Sequence, residues 1–124
     1  MRAGRELWIS DGSDIGTVRL TDIAPGTANS DPGYITATSI VGSSSVFFAA
    51  TVQSYGRELW VTDGTAPGTY LFADVFLGIG SSNPTFILDV PGNIRSCVCV
   101  CACVLCVVAC VQSLRWYSSL LVMV

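Results

Sequence analysis

The sequence predicts an all-β chain: part of a β-propeller, with about one complete four-stranded antiparallel blade and partial blades flanking it. Three observations predict this. The phrase GRELW at residues 4–8 returns at residues 56–60. Four short segments rich in β-branched and aromatic residues fall within one such period. Turn residues separate those segments.

The period comes first. Its length is 56 − 4 = 52 residues. Laid over one another without gaps, the two copies agree well beyond GRELW. Asp11 meets Asp63, Gly12 meets Gly64, and Gly16-Thr17 meets Gly68-Thr69. Asp22 meets Asp74, Gly26 meets Gly78, Ser30 meets Ser82 and Pro32 meets Pro84. Self-similarity at a fixed period of this size marks a repeat architecture, and four-stranded propeller blades have about this length.

The strands follow in order. Residues 5–10 and 17–23 make the first pair. Residues 34–41, 46–52, 57–62 and 69–75 make the complete blade, and 85–90 opens the next one. Gly42-Ser43-Ser44-Ser45, then Ser54-Tyr55-Gly56, then Asp63 through Gly68 supply the turns. Connections this short favour antiparallel neighbours. Both faces of each strand carry apolar groups: in 69–75, Tyr70 and Phe72 alternate with Leu71, Ala73 and Val75. A sheet with one wet face would alternate apolar with polar, so this sheet is expected to lie between two others.

The repeated phrase reads as a strand, its anchor and its turn. Leu59 and Trp60 fall on opposite faces at mid-strand. A buried Trp there is a large anchor, whose truncation costs about 3–5 kcal/mol. Asp63 accepts backbone N–H bonds in an Asx-turn, and Gly64 takes positive φ at little cost. Pro67 presets φ at the corner, and Gly68 frees the backbone before the next strand.

Composition excludes several functions. The net charge is −3 and the six basic residues are all Arg, so there is no basic footprint for nucleic acid. With no His, the usual general base and metal ligand near neutral pH is missing. The start, MRAGRELW, has no apolar run after its Arg and so no secretory signal. Because the chain opens almost inside the phrase, it is expected to be a fragment.

Composition also divides the chain. Residues 1–93 hold all nine acidic residues, four Arg and no Cys, a net charge of 4 − 9 = −5. Residues 94–124 hold all six Cys, two Arg and no acid, Gly or Pro. The first part is the repeat region, an incomplete propeller; the second is a Cys/Val-rich low-complexity tail.

Candidate sites are few. Asp11, Asp14 and Asp63 offer one or two carboxylates per turn, short of the six to eight oxygens Ca²⁺ wants, so they read as turn caps. Glu6 and Glu58 hold equivalent positions in different copies, which favours structural bonds to Arg or backbone over acid–base pairing. Ser10 has neither a His partner nor a G-x-S-x-G elbow. Tyr55 with Arg57 suggests a sialidase-like site, but that needs arginines from several blades, and this Arg recurs with the phrase. No G-x-x-x-x-G-K phosphate loop occurs. No catalytic, cofactor-binding or metal residue is therefore assigned, and no cofactor is expected.

The segment ELWVTDGTAPGT resembles the ELW-x-x-DGT (hyalin-like) tandem repeat, and the resemblance covers residues 4–93. The first copy departs from it, reading ELWISDGSDIGT, with Ser13 for Thr and Asp14-Ile15 for Ala-Pro. The resemblance implies β-propellers in large secreted or cell-surface proteins without agreed catalytic residues. The turn is also similar to the Asp-box hairpins of sialidase propellers, which are structural. A non-catalytic binding or structural scaffold follows, extracellular, with an unidentified protein or glycan ligand and with self-association through open blade edges. Alternatives are a sialidase-like enzyme whose catalytic residues lie elsewhere, or a small membrane-anchored protein using the tail.

The tail reads SCVCVCACVLCVVACVQSLRWYSSLLVMV. A thiolate metal cluster is disfavoured because no Lys or Arg offsets thiolate charge within 97–111. Residues 97–111 give only 15 uninterrupted apolar residues, against roughly 20 for a membrane span. TGT codes Cys and GTG codes Val, so a TG repeat spells Cys-Val-Cys-Val. Aligning Gly92 with Gly42 places Ser96, Cys97 and Val98 where Val46, Phe47 and Phe48 begin the next strand, so that strand is expected to be lost. From about Ile94 onward the tail reads as unspliced intron or a shifted frame, with a genuine apolar anchor as the alternative.

Overall fold

The computed structural model describes residues 4–38, 45–85, 87–90, 97–102 and 105–110. Among these residues there is no helix, and every paired strand is antiparallel. Strands β1 (Trp8–Ile9) and β2 (Val18–Arg19) form a two-stranded sheet. Strands β3 (Gly33–Thr38), β4 (Ser45–Val52), β5 (Gly56–Thr62) and β6 (Tyr70–Ala73) form a four-stranded sheet in chain order. Strands β7 (Ile87–Val90), β8 (Cys97–Ala102) and β9 (Leu105–Cys110) form a third.

The four central strands stand where the alternation of apolar and turn residues put them, with small shifts at their ends. Ser45, expected in a turn, opens β4. The expected continuation of β3 over 39–41, and the turn residues 42–44, lie outside the described residues. The expected strands 5–10 and 17–23 are regular only over two residues each. A two-stranded ladder holds fewer hydrogen bonds than a four-stranded one, so its ends are less regular.

Registers repeat at one period. Trp8 pairs with Arg19 and Ile9 with Val18, while Trp60 pairs with Leu71 and Val61 with Tyr70. Thr36 pairs with Phe47, Ala37 with Val46 and Thr38 with Ser45; one period on, Leu88 pairs with Cys99, Asp89 with Val98 and Val90 with Cys97. The expected loss of the strand after β7 is thus corrected. β8 fills the place of β4, at the offset of the GRELW copies rather than the offset that aligns Gly92 with Gly42. Main-chain ladders need no particular side chain, and alternating Val suits an extended backbone. The match ends there. β4 reaches β5 with Val52 opposite Gly56, whereas β8 turns back sooner, with Ala102 opposite Leu105. Residues 111–124 of the tail lie outside the described residues.

The four-stranded sheet is apolar on both faces. On one, Phe47, Leu59 and Val61 are buried and Phe72 packs against them, its ring 4.8 Å from that of Phe47 and edge-on at 87°. On the other, Phe48 and Ala50 pack with Ile23, Leu7, Val52 and Trp60. Leu7 and Ile23 belong to the first copy of the phrase and its sequel, so the β1–β2 region lies against the β4–β5 face. Burying Phe47, Phe48 and Leu59 contributes about 1.5–3 kcal/mol each. Trp60, expected as the buried anchor, is only half-buried, and its first-copy equivalent Trp8 is 54% exposed. The deepest side chains of the phrase are instead Leu59 and Glu58.

Candidate functional site

The polar residues of the phrase form two constellations, and each occurs twice. In the first, three consecutive residues grip three consecutive residues of a loop 24 positions downstream. The grip begins with glycine. A Cβ at Gly4 would lie 1.5 Å from the carbonyl oxygen of Ala28, and one at Gly56 would lie 2.0 Å from that of Gly80. Only glycine lets these backbones approach so closely. Arginine follows: its backbone N–H donates to Asn29 Oδ1 at 2.8 Å in the first copy and to Ser81 Oγ at 2.9 Å in the second.

Glutamate completes the grip. Glu58 has 0% exposure, and its carboxylate accepts three hydrogen bonds. Ser82 N–H donates to Oε1 at 2.7 Å, Ser82 Oγ to Oε2 at 2.6 Å and Val75 N–H to Oε2 at 2.9 Å. Glu6, also buried, accepts from Ser30 Oγ at 2.7 Å, Ile23 N–H at 3.1 Å and Ala24 N–H at 3.2 Å. A buried carboxylate is tolerated only when such donors replace its water, and charge-assisted bonds of this kind are the strong ones. The expectation of a structural role for Glu6 and Glu58 is met through backbone amides and a serine, not through Arg. Ser30 and Ser82 are the functional partners that sequence reasoning missed. Their signal was already present, since they match one another at one period.

The second constellation is the turn. Asp63 Oδ1 accepts both Thr65 N–H at 2.9 Å and Thr65 Oγ1 at 2.7 Å. Gly68 N–H donates to Thr65 Oγ1 at 3.0 Å, and Thr69 Oγ1 donates to the Thr65 carbonyl at 2.7 Å. In the first copy Ser13 replaces Thr65: Asp11 Oδ1 accepts Ser13 N–H at 2.9 Å and Ser13 Oγ at 2.7 Å, and Gly16 N–H reaches Ser13 Oγ at 2.9 Å. A hydroxyl on a short stem is what both copies keep. The bonds from Thr65, side chain first and then backbone, hold the Asp63 carboxyl below its usual value, and those from Ser13, backbone first, do the same for Asp11. A Cβ at Gly68 would lie 2.0 Å from Asp63 Oδ1, and one at Gly16 the same distance from Asp11 Oδ1. The glycine five residues after each aspartate therefore makes room for its carboxylate.

The remaining candidates are structural in their contacts. Ser10 Oγ lies 2.6 Å from Thr17 Oγ1 and accepts Gly12 N–H at 3.0 Å, as Thr62 does with Thr69 and Gly64. Arg57 Nη1 donates to the Asp31 carbonyl at 2.7 Å, while Arg5 Nε pairs with Asp31 Oδ1 at 2.7 Å. Asp31 thus receives an arginine from each copy, and Tyr55, which is exposed, has no part in this contact. Asp14 is exposed in the turn. Among the described residues no three His, Cys, Asp or Glu side chains come together in a way that could hold a metal ion. Among the described residues, the buried Trp60 Nε1 and Asp74 Oδ1 meet no hydrogen-bond partner; the other oxygen of Asp74 accepts Gly78 N–H at 3.1 Å.

No family model, curated protein or solved structure matches the chain. The fold is an all-β arrangement of antiparallel sheets; one polar constellation joins a strand to a downstream loop and the other closes the turn between two strands.

Proposed function

We propose that this chain is a piece of a non-catalytic β-propeller scaffold of the ELW-x-x-DGT kind, working outside the cell or at its surface. One observation carries the reading: the carboxylates Glu58 and Asp63 of the phrase accept hydrogen bonds from the chain's own loop and turn. Glu58 accepts three such bonds and Asp63 two. A general acid, a nucleophile or a metal ligand needs a free lone pair or proton facing substrate, and these groups face their own loops.

What varies between the copies supports display of a binding surface. The loop after β2 contains Ala24-Pro25-Gly26-Thr27, whereas the equivalent loop after β6 reads Phe76-Leu77-Gly78-Ile79. Phe76, Leu77 and Ile79 are exposed. Invariant bonds beneath a variable, exposed loop suit recognition of a protein or glycan by a rigid frame.

The test pairs stability with turnover. The full chain is assayed on sialoside, ester and phosphoester substrates beside its Glu58→Gln and Asp63→Asn variants. The expected result is no turnover above the buffer blank and a fall in stability for Glu58→Gln. Turnover that vanishes in Glu58→Gln while hydrogen-exchange protection of β5 stays intact would sink the scaffold reading.

A further inference from the structure

Four of the six cysteines stand opposite one another across the β8–β9 ladder. Cys97 pairs with Cys110, and Cys101 with Cys106. Only residues 103 and 104 connect the two strands. Chain neighbours cannot exchange main-chain hydrogen bonds, so Ala102 and Leu105 are themselves the hydrogen-bonded pair that closes the hairpin. Hydrogen-bonded and non-hydrogen-bonded pairs then alternate away from that end. Cys101–Cys106 and Cys97–Cys110 both fall on the non-hydrogen-bonded kind. Such pairs hold their Cα atoms about 4.5 Å apart, inside the range of about 4.4–6.8 Å that a disulfide spans. The same alternation puts positions 97, 99, 101, 106, 108 and 110 on one face of the hairpin.

We propose that this hairpin is a dithiol–disulfide site: Cys101 with Cys106, and Cys97 with Cys110, form two cross-strand disulfides by exchange with a small-molecule disulfide of the oxidised-glutathione class. The thiolate of one cysteine attacks a sulfur of that molecule, whose S–S bond breaks and releases one thiolate. The cysteine opposite then attacks the mixed disulfide at the protein sulfur and releases the second thiolate. For each bridge the two cysteines lose two protons and two electrons, and the small disulfide is reduced to two thiols. Cys99 stands opposite Val108, and Cys103 falls in the connection, outside the described residues; both keep their thiols. Successive cysteines along β8 are about 6.6 Å apart and diagonal cross-strand neighbours about 7–8 Å, so the residue directly opposite is the favoured partner. A bridge carries no charge, so the lack of Lys or Arg within 97–111, which disfavours a thiolate metal cluster, does not count against it. Disulfides persist in the oxidising setting outside the cell, where the scaffold reading puts the chain, but the pairing rests on register and stands without that reading.

The experiment uses the full chain, reduced and then equilibrated in a buffer of reduced and oxidised glutathione. After acid quench and alkylation, intact mass counts internal bridges separately from glutathione adducts. Two bridges are expected among the six cysteines. The double variant Cys101→Ser/Cys106→Ser should keep one, between Cys97 and Cys110. An added cysteine tests the register without removing any pair. Val108→Cys places a thiol opposite Cys99 and should give a third bridge, whereas Val107→Cys, opposite Val100, should leave the count at two. No internal bridge in the parent chain, or as many bridges in Val107→Cys as in Val108→Cys, overturns the proposal. A bridge from Cys101 to Cys103 in place of Cys106 also overturns it, because proximity along the chain and not register would then select the partner.

Discussion

Replacing Glu58 by Gln changes one oxygen into an NH2 and removes a charge, with almost no change in shape. The structure sets the magnitude. With the NH2 at the Oε1 position, the Ser82 amide loses its acceptor at 2.7 Å and meets another donor. With the NH2 at the Oε2 position, the Ser82 hydroxyl can turn and accept, but the Val75 amide loses its acceptor at 2.9 Å. The second arrangement is the cheaper one, because a hydroxyl rotates and an amide does not. It still leaves one backbone N–H unpaired and trades charge-assisted bonds for neutral ones, at a cost of about 2–3 kcal/mol. For a chain of 124 residues that corresponds to a fall in Tm of roughly 6–15 °C. Hydrogen exchange of β5 amides in the full chain, across a urea series, measures the loss residue by residue. The first-copy change Glu6→Gln should cost less, because two of its three bonds are longer, at 3.1 and 3.2 Å. If Glu58→Gln exchanges like the parent chain, the carboxylate is not what ties β5 to its loop, and the reasoning fails.

The turn gives a double-mutant test. Gly68→Ala forces a Cβ to within 2.0 Å of Asp63 Oδ1 and should cost about 2–3 kcal/mol by urea denaturation, whereas in an Asp63→Ala background its added cost should fall below about 1 kcal/mol. Additive costs would mean the glycine serves something other than the carboxylate. The same carboxylates set an acid response. Asp11 and Asp63 have folded-state values lowered from 3.8, so the stability they contribute is present above that value and is lost as pH falls through the lower folded value. The urea midpoint should be insensitive to these groups between about pH 5 and 8 and should drop below about pH 4, less steeply in Asp63→Asn, where the amide oxygen still accepts the Thr65 bonds. Truncation after residue 93 should free the amides of β7, which pairs with β8, and leave those of Val75 and Ser82 protected, since the Glu58 node lies wholly within residues 57–83; loss of protection at Ser82 would make the tail part of the core.

Much of the architecture was legible because its signals are local. β4 reads as a strand from Val46, Phe47 and Phe48, and the Asp63-Gly64 turn reads from residues that hydrogen-bond their own backbone two positions on. The polar node was not legible, because its partners are 24 residues apart and neither half looks unusual alone. A glutamate in a strand reads as solvated until the serine that meets it is found. The half-burial of Trp60 was missed for a related reason. Strand alternation tells which face a residue takes, not how closely the neighbouring sheet approaches that face.

The sheet of β7, β8 and β9 shows what a period can transmit without its words. Nothing in Cys97–Ala102 resembles SVFFAATV beyond an extended, β-prone backbone, yet β8 takes the pairing with β7 that β4 takes with β3. A ladder of main-chain bonds is indifferent to side chains, so the position of β7 and a chain of the right length suffice to place the next strand. The following turn is different. Tyr55 and Gly56 enter β5 through a glycine at φ +70 that presses on the carbonyl of Gly80, and a sequence of Cys, Val and Ala offers no glycine for such a contact. There β8 turns back early and the register departs from the period. Strand pairing therefore carries the repeat forward as far as the backbone alone can. The grip of glycine, arginine and glutamate on the downstream loop is the step that requires the phrase itself.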